Sequence, residues 1–171
     1  VAAIKKNLYV ESGATYNIGF VYHAPTLDAE GDVVLDADGN PVPGEPVPLT
    51  GCSARMQVRA KVDDDTALIT ATTAPASEGS EGAGRIALES VDVDGNPIIG
   101  RVDIELTDED TMKLQGLRKA VYDLELIWPL IAGELRPRVD RLLQGSIVVD
   151  WNVTRLETTT AMATAPAVTN G

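Results

Sequence analysis

Cysteine, histidine and aromatic residues are nearly missing from this chain of 171 residues, which carries one cysteine, Cys52, and one histidine, His23. A single cysteine excludes an intramolecular disulfide. With so few Cys and His ligands, no zinc or iron–sulfur centre of the usual kind is expected, and the chain is compatible with a reducing compartment. Aromatic mass is limited to Phe20, four tyrosines and two tryptophans. Val, Ile, Leu and Ala must therefore fill the interior, a bias that favours strands. At this length one domain, or one domain with an extended arm, can bury a continuous core.

Positive charge is also scarce. Fourteen Lys and Arg stand against twenty-six Asp and Glu, a net charge of −12 that repels phosphate backbones and anionic membrane surfaces. Neither nucleic acid nor membrane is an expected partner. No apolar run approaches the roughly 18 residues of a membrane helix. The opening VAAIKKNLYV lacks the long apolar core of a signal peptide, so export by that route is not expected. Much of the acidity lies in one segment, where Asp28, Glu30, Asp32, Asp36, Asp38 and Glu45 occur without a Lys or Arg. It reads as a solvated loop; a docking surface for a basic partner is the sharper alternative.

Catalytic motifs are missing too. G-x-S-x-G, a Walker loop, H-E-x-x-H and G-x-G-x-x-G do not occur. His23, at the end of a strand, thus has no nucleophile, metal or cofactor to serve and reads as a surface or partly packed residue. The pairs Asp63/Asp65 and Asp108/Asp110 fall in a turn-like run and a helix start, where acids have structural reasons to occur. Cys52 reads as a small core residue. The expectation is a protein that is not an enzyme, with no cofactor and no small-molecule substrate.

What is present is alternation. Residues 14–23 (ATYNIGFVYH) place Tyr16, Ile18, Phe20 and Tyr22 on one face. Residues 52–60 (CSARMQVRA) place Cys52, Ala54, Met56 and Val58 inward. Further strands are expected over 67–72, 85–89, 101–106, 120–128 and 145–153, with 138–144 leading into the last. Between the first two, residues 25–50 are too rich in Pro and Gly for a central strand and imply a projecting β-ribbon or long loop. The segment 73–84 has flexible-loop chemistry. TDEDTMKL, residues 107–114, predicts one short helix, with Thr107 as N-cap and Glu109 or Asp110 near the capping-box position. About seven short strands with turn signals between them indicate a sandwich.

Two segments share the pattern D-x-D-G-N-P, at 36–41 and 92–97, and both read as tight turns with Asp-Gly at positive φ. A twelve-residue calcium loop starting at Asp36 would need an acid where Val47 stands. Arg138, Arg141 and Arg155 cluster near the C-terminal strands and are candidates for contact with acidic patches of neighbouring copies. The tail LETTTAMATAPAVTNG has no periodicity and is expected to lie along another subunit as an arm, with Leu156 and Met162 as candidate contacts.

Three segments together resemble a known group. Residues 48–59 (PLTGCSARMQVR), 120–126 (AVYDLEL) and 141–149 (RLLQGSIVV) with the trailing VTR at 153–155 resemble small structural proteins of tailed bacteriophages that carry an Ig-like domain. The nearest comparison is the N-terminal domain of phage baseplate upper proteins. The resemblance runs over roughly residues 7 to 155, in order. It implies an all-β protein with an immunoglobulin-like β-sandwich, placed over 1–155. The projecting acidic insertion at 25–50, long over 28–48, and the elongated connection at 128–139 depart from the group's pattern. The tail reads separately as an extended C-terminal arm over 156–171. The resemblance further implies a non-enzymatic virion component, assembled in the bacterial host cytoplasm, whose partners are other virion proteins and copies of itself. Tail, neck or baseplate is the first expected position and capsid decoration the second. The rival class is a receptor- or carbohydrate-binding module, since such sandwiches carry binding loops at their ends.

Overall fold

Val102, Ile104 and Leu106 are buried while their neighbours Arg101, Asp103 and Glu105 reach outward, and this two-residue period recurs around the whole fold. A computed structural model describes residues 3–73 and 84–151. The expected flexible segment falls mostly at 74–83, and the arm with Arg155, Leu156 and Met162 falls beyond 151, so both lie outside the described residues.

The protein is all-β. In chain order the strands are β1 (Ile4–Lys5), β2 (Leu8–Ser12), β3 (Tyr16–Val21), β4 (His23–Pro25), β5 (Pro43–Pro46), β6 (Ser53–Arg59), β7 (Ile69–Thr72), β8 (Arg85–Leu88), β9 (Arg101–Leu106), β10 (Lys119–Ile127) and β11 (Val139–Trp151), with helix α1 (Asp108–Met112) between β9 and β10. Nine of them form one sheet in the order β1-β11-β10-β6-β7-β8-β9-β3, with β2 also on β11; β4 and β5 pair separately. β2 and β3 lie at opposite edges of that sheet, yet only residues 13–15 join them. Such a link spans at most about 14 Å, so the sheet must curl until its edges approach. The inner face of the curl holds the core, including Leu8, Met56, Val58, Ile104, Leu124, Leu126 and Ile147.

α1 sits where the two edges meet. Thr107 accepts a hydrogen bond from the Asp110 N–H, and the Asp110 carboxylate accepts from the Thr107 N–H, closing a capping box. Thr111 Oγ1 accepts from the Gly13 N–H at 3.0 Å and donates to the Ala14 carbonyl at 2.9 Å. The short helix is thereby pinned to the β2–β3 link.

The chain differs from the sequence expectation near both of its described ends, in two strands that pair with each other. The N-terminal LYVES, not expected as a strand, forms β2 and runs parallel to β11, pairing Leu8 with Ile147 through Ser12 with Trp151. Residues 139–144, expected as a lead-in, belong to β11 itself. Their alternation is hidden by a register shift opposite Leu124/Glu125, which leaves Leu142 and Leu143 both buried in sequence.

Candidate functional site

The segment between β3 and β6 is built on three hydrogen bonds. Thr26 N–H donates to the Val42 carbonyl, Val34 N–H to Thr26 and Val42 N–H to Val34, at 2.8 to 2.9 Å. Below this ring, β4 and β5 make a short antiparallel stem; above it, the chain divides into two turns closed by the bridges Leu27↔Val33 and Leu35↔Pro41. The result is a fork. His23, the lone histidine, lies in the stem, with Nδ1 2.8 Å from the Gly44 carbonyl.

Both prongs use one local device. Asp28 Oδ1 accepts from the N–H groups of Glu30 and Asp32, and Asp36 Oδ1 from those of Asp38 and Asn40, at 2.8 to 3.1 Å. Asp92 repeats the arrangement with Asp94 and Asn96, both at 2.9 Å. Gly31, Gly39 and Gly95 take the positive φ these turns need. Of each expected Asp-Gly pair only the Gly takes positive φ, Asp38 and Asp94 staying at negative φ. The Asp28 turn, where Gly-Asp-Val replaces Gly-Asn-Pro, was not expected. The backbone N–H of Asn40 first, and that of Asn96 correspondingly, hold Asp36 and Asp92 below the usual carboxylate range. Because each Oδ1 already accepts backbone hydrogen bonds, the turns are closed without an ion. Among the described residues no group of three or more His, Cys, Asp or Glu is arranged to hold a metal.

The fork is closed by its own hydrogen bonds and is strongly anionic. Asp28, Glu30, Asp32, Asp36, Asp38 and Glu45 make no ion pair among the described residues. Apolar side chains share it, with Leu27 and Leu35 each 56% exposed.

The outer face of β6, β10 and β11 has the opposite character. Cross-strand neighbours there form rows, Arg59–Val121–Ser146, Gln57–Asp123–Gln144 and Arg55–Glu125–Arg141. Glu125 lies between two arginines, 2.7 Å from Arg55 and 3.7 Å from Arg141, and Arg141 also reaches Asp123 at 3.5 Å. Beside these rows is an open groove of about 720 Å³, into which Lys5, Lys6, Arg59 and Arg141 face with Asp123 as the single carboxylate. Lys5, Lys6 and Arg59 have no carboxylate partner among the described residues. Arg59 instead donates to the Asp64 carbonyl and to Gln57 Oε1.

Arg138 does not join Arg141 in this groove. Its guanidinium lies 5.1 Å from the centre of the Trp128 ring and 2.6 Å from Asp140, which also accepts from Trp128 Nε1 at 2.8 Å. Burial pushes the Asp140 carboxyl up, but the hydrogen bonds from Arg138 and Trp128 outweigh it and hold the group below its ordinary value. Between Trp128 and Arg138 the loop exposes Leu130, Ile131 and Leu135, the last 99% accessible.

The residues weighed for chemistry are dispersed. Burial first, then Glu89, pushes the half-buried Cys52 thiol up, toward its protonated form. Asp110 is consumed by the helix cap and by Lys113 at 2.8 Å. The sequence reading passed over Glu89, which takes φ 51° after β8 and accepts from the Leu49 N–H at 2.8 Å and Thr50 Oγ1 at 2.9 Å. A glutamate at positive φ leaves no signal in a sequence, because its partners lie about 40 residues away. No protein-family model matches the chain, and no curated protein matches it.

Proposed function

We propose that this chain is a non-enzymatic structural protein of a tailed-bacteriophage particle that assembles through protein–protein contacts in the tail, neck or baseplate. In this reading the curled sheet is an Ig-like sandwich and the fork is an insertion between two of its strands. Large apolar side chains standing in water on loops that are held by their own hydrogen bonds carry the reading. Leu27 and Leu35 on the fork, Val91 and Val93 at the Asp92 turn, and Leu130, Ile131 and Leu135 beside Trp128 all contribute nothing to the core. Exposed apolar groups on pre-ordered loops suit contact surfaces, because little ordering entropy remains to be lost on binding. The resemblance of residues 48–59, 120–126 and 141–149 to phage structural proteins supports the same assignment.

The test is the number of copies of this chain per purified particle, by quantitative mass spectrometry against the major capsid protein. About six to a few tens of copies fits a symmetric tail, neck or baseplate position. Hundreds would move the protein to capsid decoration, and absence from particles would overturn the proposal in favour of a binding module.

A further inference from the structure

The two charged features are complementary in sign and sit apart on the molecule. The fork carries six carboxylates with no cation, and the groove presents Lys5, Lys6, Arg59 and Arg141 against Asp123 alone. In a protein of net charge −12, a groove whose Lys5, Lys6 and Arg59 lack a carboxylate partner among the described residues, with Arg141 shared between Asp123 and Glu125, is where a carboxylate-rich surface is attracted. The chain's own fork does not fill it. No residue of 24–47 lines the groove, which opens around Val121 and Asp123.

We propose that the acidic fork of one copy docks into the basic groove of a second copy. The two surfaces are different patches, so the contact is head-to-tail: one copy retains a free groove and the other a free fork, and the contact propagates into a ring or a chain. Attraction comes from side chains that each surface leaves unpaired. Pre-ordering comes from the closed Asp28 and Asp36 turns on one side and the sheet on the other, so binding fixes few new torsions. Leu27 and Leu35 beside the carboxylates, and Val62 and Val121 within the groove, provide apolar area for the same contact. One prong in one groove is a small interface, so single contacts are weak and closure of a ring strengthens them. The inference needs only the purified chain, so it stands or falls separately from the virion assignment.

Sedimentation velocity of the full chain tests it. At about 20 mM salt the weight-average sedimentation coefficient should rise over roughly a hundred-fold range of protein concentration, and at about 500 mM salt the apparent affinity should fall by tenfold or more. Lys5→Glu with Lys6→Glu reverses the groove, and Glu30→Lys with Asp38→Lys weakens the fork, leaving four carboxylates against two lysines. All four side chains are exposed and make no side-chain hydrogen bond among the described residues, and circular dichroism checks that each variant is folded. Each double variant alone should remain monomeric. Mixed together they should associate again, because each supplies the surface that the other has lost. A wild-type chain that stays monomeric at low salt, or an association that neither double variant changes beyond twofold, would overturn the proposal. The salt dependence of the wild-type chain decides the matter even if a variant fails to fold.

Discussion

The Lys6 carbonyl oxygen rests against the α-carbon of Gly145, where a Cβ would overlap it. This close approach lets the N-terminal segment turn from β1 into β2 while staying on β11, and it places the same carbonyl 2.9 Å from the Tyr122 hydroxyl. Gly145→Ala should therefore destabilise the protein by about 1–3 kcal/mol through overpacking against backbone. Gly95 provides the control. Nothing surrounds its missing Cβ, but its φ of 86° disfavours any side chain, so Gly95→Ala should cost about 1 kcal/mol. Urea denaturation of the two variants measures the difference between lack of space and lack of conformational freedom.

Tyr122 makes the fold sensitive to alkali. Burial, and then Tyr16, pushes its hydroxyl from 10.0 up to about 12. Above pH 10.0 the unfolded chain loses this proton while the folded chain keeps it, so stability falls as pH rises from 10.0 toward about 12. Tyr122→Phe removes that slope and also the bond to Lys6, at a cost of about 1 kcal/mol near neutrality. Urea midpoints at about pH 8 and about pH 11 should differ less for the Phe variant than for the parent. Equal differences would remove Tyr122 as the source.

Asp140 holds the corner at the start of β11. Replacing it with Ala leaves Trp128 Nε1 and the Arg138 guanidinium without their shared acceptor, an expected loss of about 1–3 kcal/mol. In a Trp151→Phe background, where Trp128 is the remaining tryptophan, Asp140→Ala should red-shift the emission as the indole becomes wetter.

Acid should unfold the protein through a few identifiable carboxylates. The Leu49 N–H first holds Glu89 below its ordinary 4.5, and the Arg101 side chain first holds Asp103 below 3.8. Asp140 is lowered in net. Their contribution is present above these ordinary values and is lost as pH falls below them, because the unfolded chain then binds protons that the folded chain refuses. The urea midpoint should stay nearly flat from about pH 7 to about pH 5 and then decline. Glu89→Gln should make the decline shallower while lowering stability at neutral pH.

Strands whose alternation is unbroken were legible. β6 and β9 appear where Cys52 to Ala60 and Arg101 to Leu106 alternate, with Ala54, Met56 and Val58 buried as expected. The helix was legible from its cap, since Thr107 and Asp110 need only each other to close the box. β2 was not, because its alternation of Leu8 and Val10 ends on the polar Ser12 and what makes it a strand is the parallel pairing with β11. The double leucine at 142–143 hid the start of β11 for a related reason: a bulge puts consecutive side chains on one face and erases the period.

The candidate surfaces divide in the same way. The acidity of residues 28–45 and the Asp-Gly turns are local chemistry, and the sequence by itself determined both. The basic groove is not local, for Lys5 and Lys6, Arg59 and Arg141 come from segments far apart in the chain. Only the parallel pairing of the N-terminal segment with β11, and of β11 through β10 with β6, brings them onto one face. Hydrogen-bond register between strands decides which side chains become neighbours, and register depends on partners that no single stretch of sequence contains.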